Sequence, residues 1–311
     1  MPEETDGYVD DKISKEAFVK QINQIEDERA KMFLSRLSEF QKKEVGLYAF
    51  VFDSSDRIQH VFWENKVLDN KTTTIKISQE IQNYFIAKDK FLGEVLAKID
   101  NNTLLLVASD HGFTSFEKAV SVNTLLVNNG LMIRSVPIGD SEDPLFQNVN
   151  WEKTKAYSLG FNSVYINLKN REPLGIVSEQ EKLNVEQEII DLLENLKDEK
   201  GNKVVNKVYR SSDVYSGEYL KNAPDLIIGF NPGFRMSWQT AVGGFSKEVV
   251  FPNEKKWVGD HLIDPEFVPG VLFSNTKFNI NKTSQLNIAP TILDAFSIKV
   301  PQQMDGKSLL K

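Results

Sequence analysis

Two uncharged apolar runs limit what this chain can fold into. Residues 45–52 read VGLYAFVF and residues 103–108 read TLLLVA. A strand buried on both faces of a parallel sheet has this pattern, whereas a strand with one wet face alternates. Helical patterns flank both runs. Over residues 13–43, Ile13, Phe18, Ile22, Ile25, Phe33, Leu37 and Phe40 recur at helical spacing between charges. Over residues 78–99, Ile81, Tyr84, Phe85, Phe91, Leu92, Val95, Leu96 and Ile99 do the same. A short helix is expected from Arg57 to about Asn65. Helices alternating with buried strands predict an α/β fold built on a mostly parallel sheet flanked by helices.

The middle of the chain breaks that grammar. Strand-like stretches at 156–159, 164–168, 204–210 and 226–230 surround a helical pattern at 184–197, with Pro224, Pro232, Gly243 and Gly244 between them. Residues 131–250 are therefore expected to form a mixed α+β insertion or cap. The core is expected from residues 1–130 and 251–311. In the last part, residues 268–273 read as a strand, and Pro290 sits early in a helix, where its missing N–H costs least.

Both apolar runs end in acid and imidazole. The first leads into Asp53-Ser54-Ser55-Asp56 and then His60; the second leads into Ser109-Asp110-His111-Gly112. Ligands of open α/β sheets bind at the carboxyl ends of strands. Asp56 and His60 are four apart, so on a helix they share one face and can touch one ion. Asp110 and His111 are adjacent, which suits an irregular strand exit. The chain has only 3 His, and the third, His261, follows Gly259-Asp260. Each histidine alone is more simply a core or surface residue; their joint placement beside aspartates argues for a metal site. Carboxylate and imidazole without thiolate suit Zn²⁺, Mn²⁺ or Fe²⁺, and five ligands exceed one tetrahedral zinc.

Composition removes other classes. Cys is absent, which excludes disulfides, thiolate sites and cysteine nucleophiles. A formal net charge of -7 argues against a nucleic-acid polymer as partner. There is no run of 18 apolar residues and the acidic start has no apolar leader pattern. A membrane partner is thus not expected, and a cytoplasmic location is the default. Gly306-Lys307-Ser308 lacks the earlier glycine of a phosphate loop, since that position is Pro301. Arg57 could meet phosphate, but a salt bridge on the helix surface is the expectation. Arg235 and Trp238 could line a substrate pocket, but core packing of the aromatics, Trp238 and Phe234, is the expectation.

Residues 51–63, VFDSSDRIQHVFW, resemble the Asp-Arg-x-x-His motif of type I phosphodiesterase/nucleotide pyrophosphatase proteins in the alkaline phosphatase superfamily. Residues 107–113, VASDHGF, resemble that family's Ser-Asp-His-Gly motif, and 257–261, WVGDH, its Gly-x-His ligand segment. Residues 287–293 and 304–309 resemble its closing elements. The resemblance implies an alkaline-phosphatase-like fold and a metal-dependent hydrolase of small phosphate esters. It implies two divalent ions, zinc or manganese, with Asp56, His60 and His261 holding one and Asp110 and His111 helping to hold the other. The family's Thr or Ser nucleophile and a further Asp precede these motifs. No counterpart is found before residue 45, so the chain is expected to be N-terminally incomplete, with no catalytic nucleophile of its own. It would then be inactive alone, completed by an upstream-half chain, or self-associated through an exposed sheet edge. A different enzyme class, a mononuclear Fe(II) enzyme, would use Asp56, His60 and His261 alone as a two-His, one-carboxylate set.

Overall fold

The computed structural model describes residues 3–64, 67–69, 72–73, 76–139, 143–278 and 283–310. Its elements are, in chain order, α1 (Thr5–Val9), α2 (Lys15–Phe40), α3 (Ser54–Phe62), β1 (Val67–Asp69), β2 (Thr72–Thr73), α4 (Gln79–Leu96), β3 (Leu106–Ala108), β4 (Thr114–Val120) and α5 (Val122–Asn128). There follow β5 (Ala156–Ser158), β6 (Ser163–Ile166), α6 (Glu179–Glu194), β7 (Val205–Arg210), α7 (Ser211–Val214), β8 (Leu226–Phe230), β9 (Gly233–Met236) and α8 (Trp238–Ala241). The last are β10 (Val250–Pro252), β11 (Gly259–Asp260), β12 (Leu272–Ser274) and α9 (Ile288–Ala295). The chain divides into two compact units, residues 1–88 with 113–268, and residues 89–112 with 269–311.

The larger unit has two apolar clusters. In the first, Ser14 caps α2 by accepting from the Ala17 N–H at 3.2 Å. Phe18 and Ile22, one helical turn apart, then lie fully buried against Ile58, Val61 and Phe62 of α3 and Ile81 and Tyr84 of α4. Full burial of such side chains stabilises by roughly 1.5–3 kcal/mol each, so this contact fixes α3. In the second cluster, β5, β6, β8 and β7 form an antiparallel sheet in that order. Val164, Ile166, Leu226 and Ile228 pack there with Ile189 and Leu193 of α6.

β4 is the strand that positions the site. It pairs antiparallel with β10 and β11 and parallel with β9. Gly233 opens β9 at φ 90°, a conformation that glycine adopts without strain. The smaller unit pairs β3 antiparallel with β12, and Asn275 accepts from the Leu105 N–H and donates to the Thr103 carbonyl. Among the described residues no helix is long and apolar enough to cross a membrane.

The chain is thus mixed α/β, but its pairing corrects the expected mostly parallel sheet. Among the named strands that are described, β4–β9 is the parallel pair and the other pairings are antiparallel. The run at 45–52 is not a strand. It is extended, with Tyr48, Phe50 and Phe52 turned onto Phe33 of α2, at ring-centroid distances of 5.1, 5.5 and 6.0 Å. The alternate side chains face solvent: Leu47 is 61% exposed and Val51 79%. Apolar composition made the run look buried on both faces, whereas packing covers only its aromatic face. Likewise residues 103–108 yield the short β3, half-buried and not enclosed.

Candidate metal centre

α3 supplies the first two candidate ligands. Asp56 lies in its first turn, where the helix dipole favours a carboxylate, and His60 follows one turn later on the same face. His60 is only 3% exposed. β11 supplies the third: His261 is the first residue beyond its two-residue ladder with β4. α3 and β11 approach closely because residue 259 is glycine. A Cβ there would lie 2.5 Å from the Gln59 carbonyl oxygen and 2.7 Å from Trp63 Cβ. The Val258 N–H also donates to the His60 carbonyl at 2.8 Å.

Asp56, His60 and His261 thereby converge, although 200 residues lie between the last two, with ligand atoms all within 4.8 Å of one another. His60 Nδ1 lies 2.7 Å from the Gly259 carbonyl oxygen. A carbonyl can only accept, so Nδ1 carries the proton, and in the neutral ring Nε2 presents a lone pair. That Nε2 is 3.3 Å from Asp56 Oδ1, and His261 Nε2 is 3.5 Å from the same oxygen. Asp56 Oδ1 is buried with no hydrogen-bond partner. A buried carboxylate oxygen facing two imidazole nitrogens is a donor set that a divalent cation can use. The spacings also match the roughly 3.3–3.5 Å ligand–ligand edge of a tetrahedral ion with bonds of about 2.0–2.1 Å. The three residues therefore fit the metal.

Burial alone would raise the Asp56 carboxyl. Positive charge on His60 and His261 when their rings are protonated, with that on Arg57, outweighs it and holds the group below its ordinary value. Arg57 reaches Asp56 Oδ2 at 3.8 Å, so the expected surface salt bridge involves the carboxylate of a candidate ligand. Aromatic rings wall the imidazoles. Trp257 stacks on His60 with centroids 3.8 Å apart, and Phe113 meets His60 and His261 edge-on at 4.9 and 5.4 Å.

Asp110 and His111 belong to the smaller unit, in the loop after β3. His111 Nδ1 lies 3.0 Å from the Gly112 carbonyl, and its Nε2 lies 3.5 Å from Asp110 Oδ2. The Asp110 side chain is 80% exposed, while Gln285 donates to its backbone carbonyl. Sequence reasoning assigned no role to Asp260 or Trp257. Phe234 packs in the core, as expected of the aromatics. Arg235, for which no such burial was expected, lies against Asp260, both side chains being 1% exposed. The only signal for that pair was the placement of an aspartate directly before His261.

A family model described as Type I phosphodiesterase / nucleotide pyrophosphatase matches residues 2–259. The matched segment includes Asp56, His60, Asp110 and His111, and ends two residues before His261. No curated relative matches the chain.

Proposed function

We propose that this chain, which belongs to the type I phosphodiesterase/nucleotide pyrophosphatase family, is a metal-dependent hydrolase of phosphate esters whose first cation is held by Asp56, His60 and His261. The observation that carries the reading is the orphaned Asp56 Oδ1 facing two imidazole nitrogens. Asp110 and His111 help hold a second ion, zinc or manganese in both cases. Such ions polarise a phosphoryl oxygen and stabilise the charges on attacking and leaving oxygens. The protein's own share is to hold three ligands in place and keep the imidazoles against an aromatic wall. Residues 131–250, with the sheet β5–β6–β8–β7, act as the cap. No residue of the chain is assigned as nucleophile.

The test is hydrolysis of bis-p-nitrophenyl phosphate and p-nitrophenyl phosphate with zinc or manganese, with and without chelator. The reading expects metal-background rates from residues 1–311 alone. It expects chelator-sensitive turnover, with the diester preferred, once a chain carrying the nucleophile segment is added. That turnover should collapse in His60→Ala and Asp110→Ala. Undiminished turnover in His60→Ala would overturn it. The two-His, one-carboxylate composition also favours a second reading, a mononuclear Fe(II) enzyme. Product formation from a 2-oxoacid after anaerobic iron loading would select it.

A further inference from the structure

Beside the metal ligands lies a buried ion pair whose geometry the ligand set does not explain. Arg235 Nε sits 2.7 Å from Asp260 Oδ2, and both side chains are 1% exposed. The same oxygen accepts from Trp257 Nε1 at 2.8 Å. The other oxygen, Oδ1, accepts from the backbone N–H groups of His261 and Leu262 at 2.8 and 3.0 Å. One carboxylate thus ties together an arginine, an indole and the backbone of a metal ligand. The guanidinium carbon lies 3.8 Å from the Trp238 ring centroid and 4.8 Å from that of Phe161.

Burying two charges is costly, and apolar residues of similar volume hold a core as well or better. The cost is repaid in position. β11 pairs with β4 through Gly259 and Asp260 only, so the backbone ladder stops short of His261. What holds the His261 main chain is the Asp260 carboxylate. What holds the plane of Trp257, and through its stacking the His60 ring, is the indole hydrogen bond to the same carboxylate. Arg235, on β9 and paired through Ala119 of β4, lies 2.7 Å from Asp260 Oδ2 and so anchors the inward-turned carboxylate to a second strand.

We infer that Arg235 is a positioning residue for the metal centre, acting through Asp260 on His261 and through Asp260 and Trp257 on His60. The inference rests on the reading of Asp56, His60 and His261 as metal ligands. Outer-layer groups that orient ligating imidazoles typically set metal affinity by 10–100-fold.

The experiment uses the full chain, zinc alone as probe in calorimetry, and cobalt(II) as a spectroscopic probe of coordination. Arg235→Met and Asp260→Asn should bind zinc about 10–100-fold more weakly than wild type, with a weakened and shifted cobalt visible band. Trp257→Phe, which keeps a stacking ring and loses only the Nε1 donor, should show a smaller loss in the same direction. Arg235→Lys should recover part of the affinity, because it keeps the charge but loses the planar stack on Trp238. Melting of the metal-free variants separates the two roles, since a merely structural pair would lower the melting temperature and leave the folded protein's zinc affinity unchanged. Zinc affinities of Arg235→Met and Asp260→Asn within twofold of wild type, while His261→Ala abolishes binding, would overturn this inference and leave the metal reading intact. Should those two variants fail to fold, Trp257→Phe and Arg235→Lys decide by the same criterion. No zinc binding by wild type, or equal binding by His261→Ala, would overturn both.

Discussion

Two Asp–His pairs in this chain share their chemistry and differ in their surroundings. Asp56 and His60 stand one turn apart on α3, with His60 3% exposed and its Nδ1 committed to the Gly259 carbonyl. Asp110 and His111 are neighbours in a loop, where Asp110 is 80% exposed and His111 Nδ1 lies against the adjoining Gly112 carbonyl. The first pair has its ring orientation and tautomer set by another element, so an ion meets a preformed site. The second is set by its own loop, so an ion must do part of the ordering. The same ligand types can therefore carry different affinities.

A contrast inside the larger unit sharpens the point. Asp225 is also buried, but protein donors satisfy it: Arg171 at 2.7 and 3.1 Å, Lys182 at 2.8 Å and the Ile166 N–H at 2.7 Å. Asp56 Oδ1 has no such donor. Asp225→Ala should produce the largest stability loss, about 3–5 kcal/mol, because it removes the buried carboxylate that two partly buried cations share. Denaturant unfolding reads it. Although burial alone would raise the Asp225 carboxyl, its partners hold it below its ordinary value. Its contribution is then present above the unfolded carboxylate pKa of about 3.9 and is lost as pH falls through the lower folded value. Asp225→Asn should flatten that acid limb. An unchanged acid limb would show that the pair contributes nothing.

Next in size are the ligands themselves. Asp56→Ala and His60→Ala should weaken the tighter zinc site by more than about 100-fold, or roughly 2.7 kcal/mol. Asp110→Ala and His111→Ala should leave that tighter site within a few-fold and remove a weaker one. Calorimetry with wild type should resolve two unequal affinities; two equal tight sites would break the comparison between the pairs. Smaller again is Gly259→Ala. Its new methyl group meets the Gln59 carbonyl and Trp63, so α3 and β11 must part, at a cost of about 1–3 kcal/mol. Melting with and without zinc should show a greater loss in the zinc-bound form, because the substitution separates His60 from His261.

The convergence of Asp56, His60 and His261 and the long helices could be read from the chain in advance. α2, α4 and α6 were visible because amphipathic spacing survives in any packing arrangement. The three histidines were visible because they are few and stand beside aspartates. Strand pairing was not visible: β4 reads TSFEKAV, and its Glu117 and Lys118 hide a strand whose Lys118 reaches Asp198 and Glu199. The run at 45–52 misled for the opposite reason, since apolar composition cannot say whether a neighbouring strand covers it. The Arg235–Asp260 pair was hidden because the 24 residues between them are brought together only by their shared partner β4.

The central claim is that Asp56, His60 and His261 hold a divalent cation. Anomalous diffraction at the zinc edge, from crystals grown with zinc, tests it most directly. The account predicts a peak within bonding distance of Asp56 Oδ1, His60 Nε2 and His261 Nε2 together. Zinc found only elsewhere, with Asp56 and the two imidazoles bonded to one another instead, would contradict it.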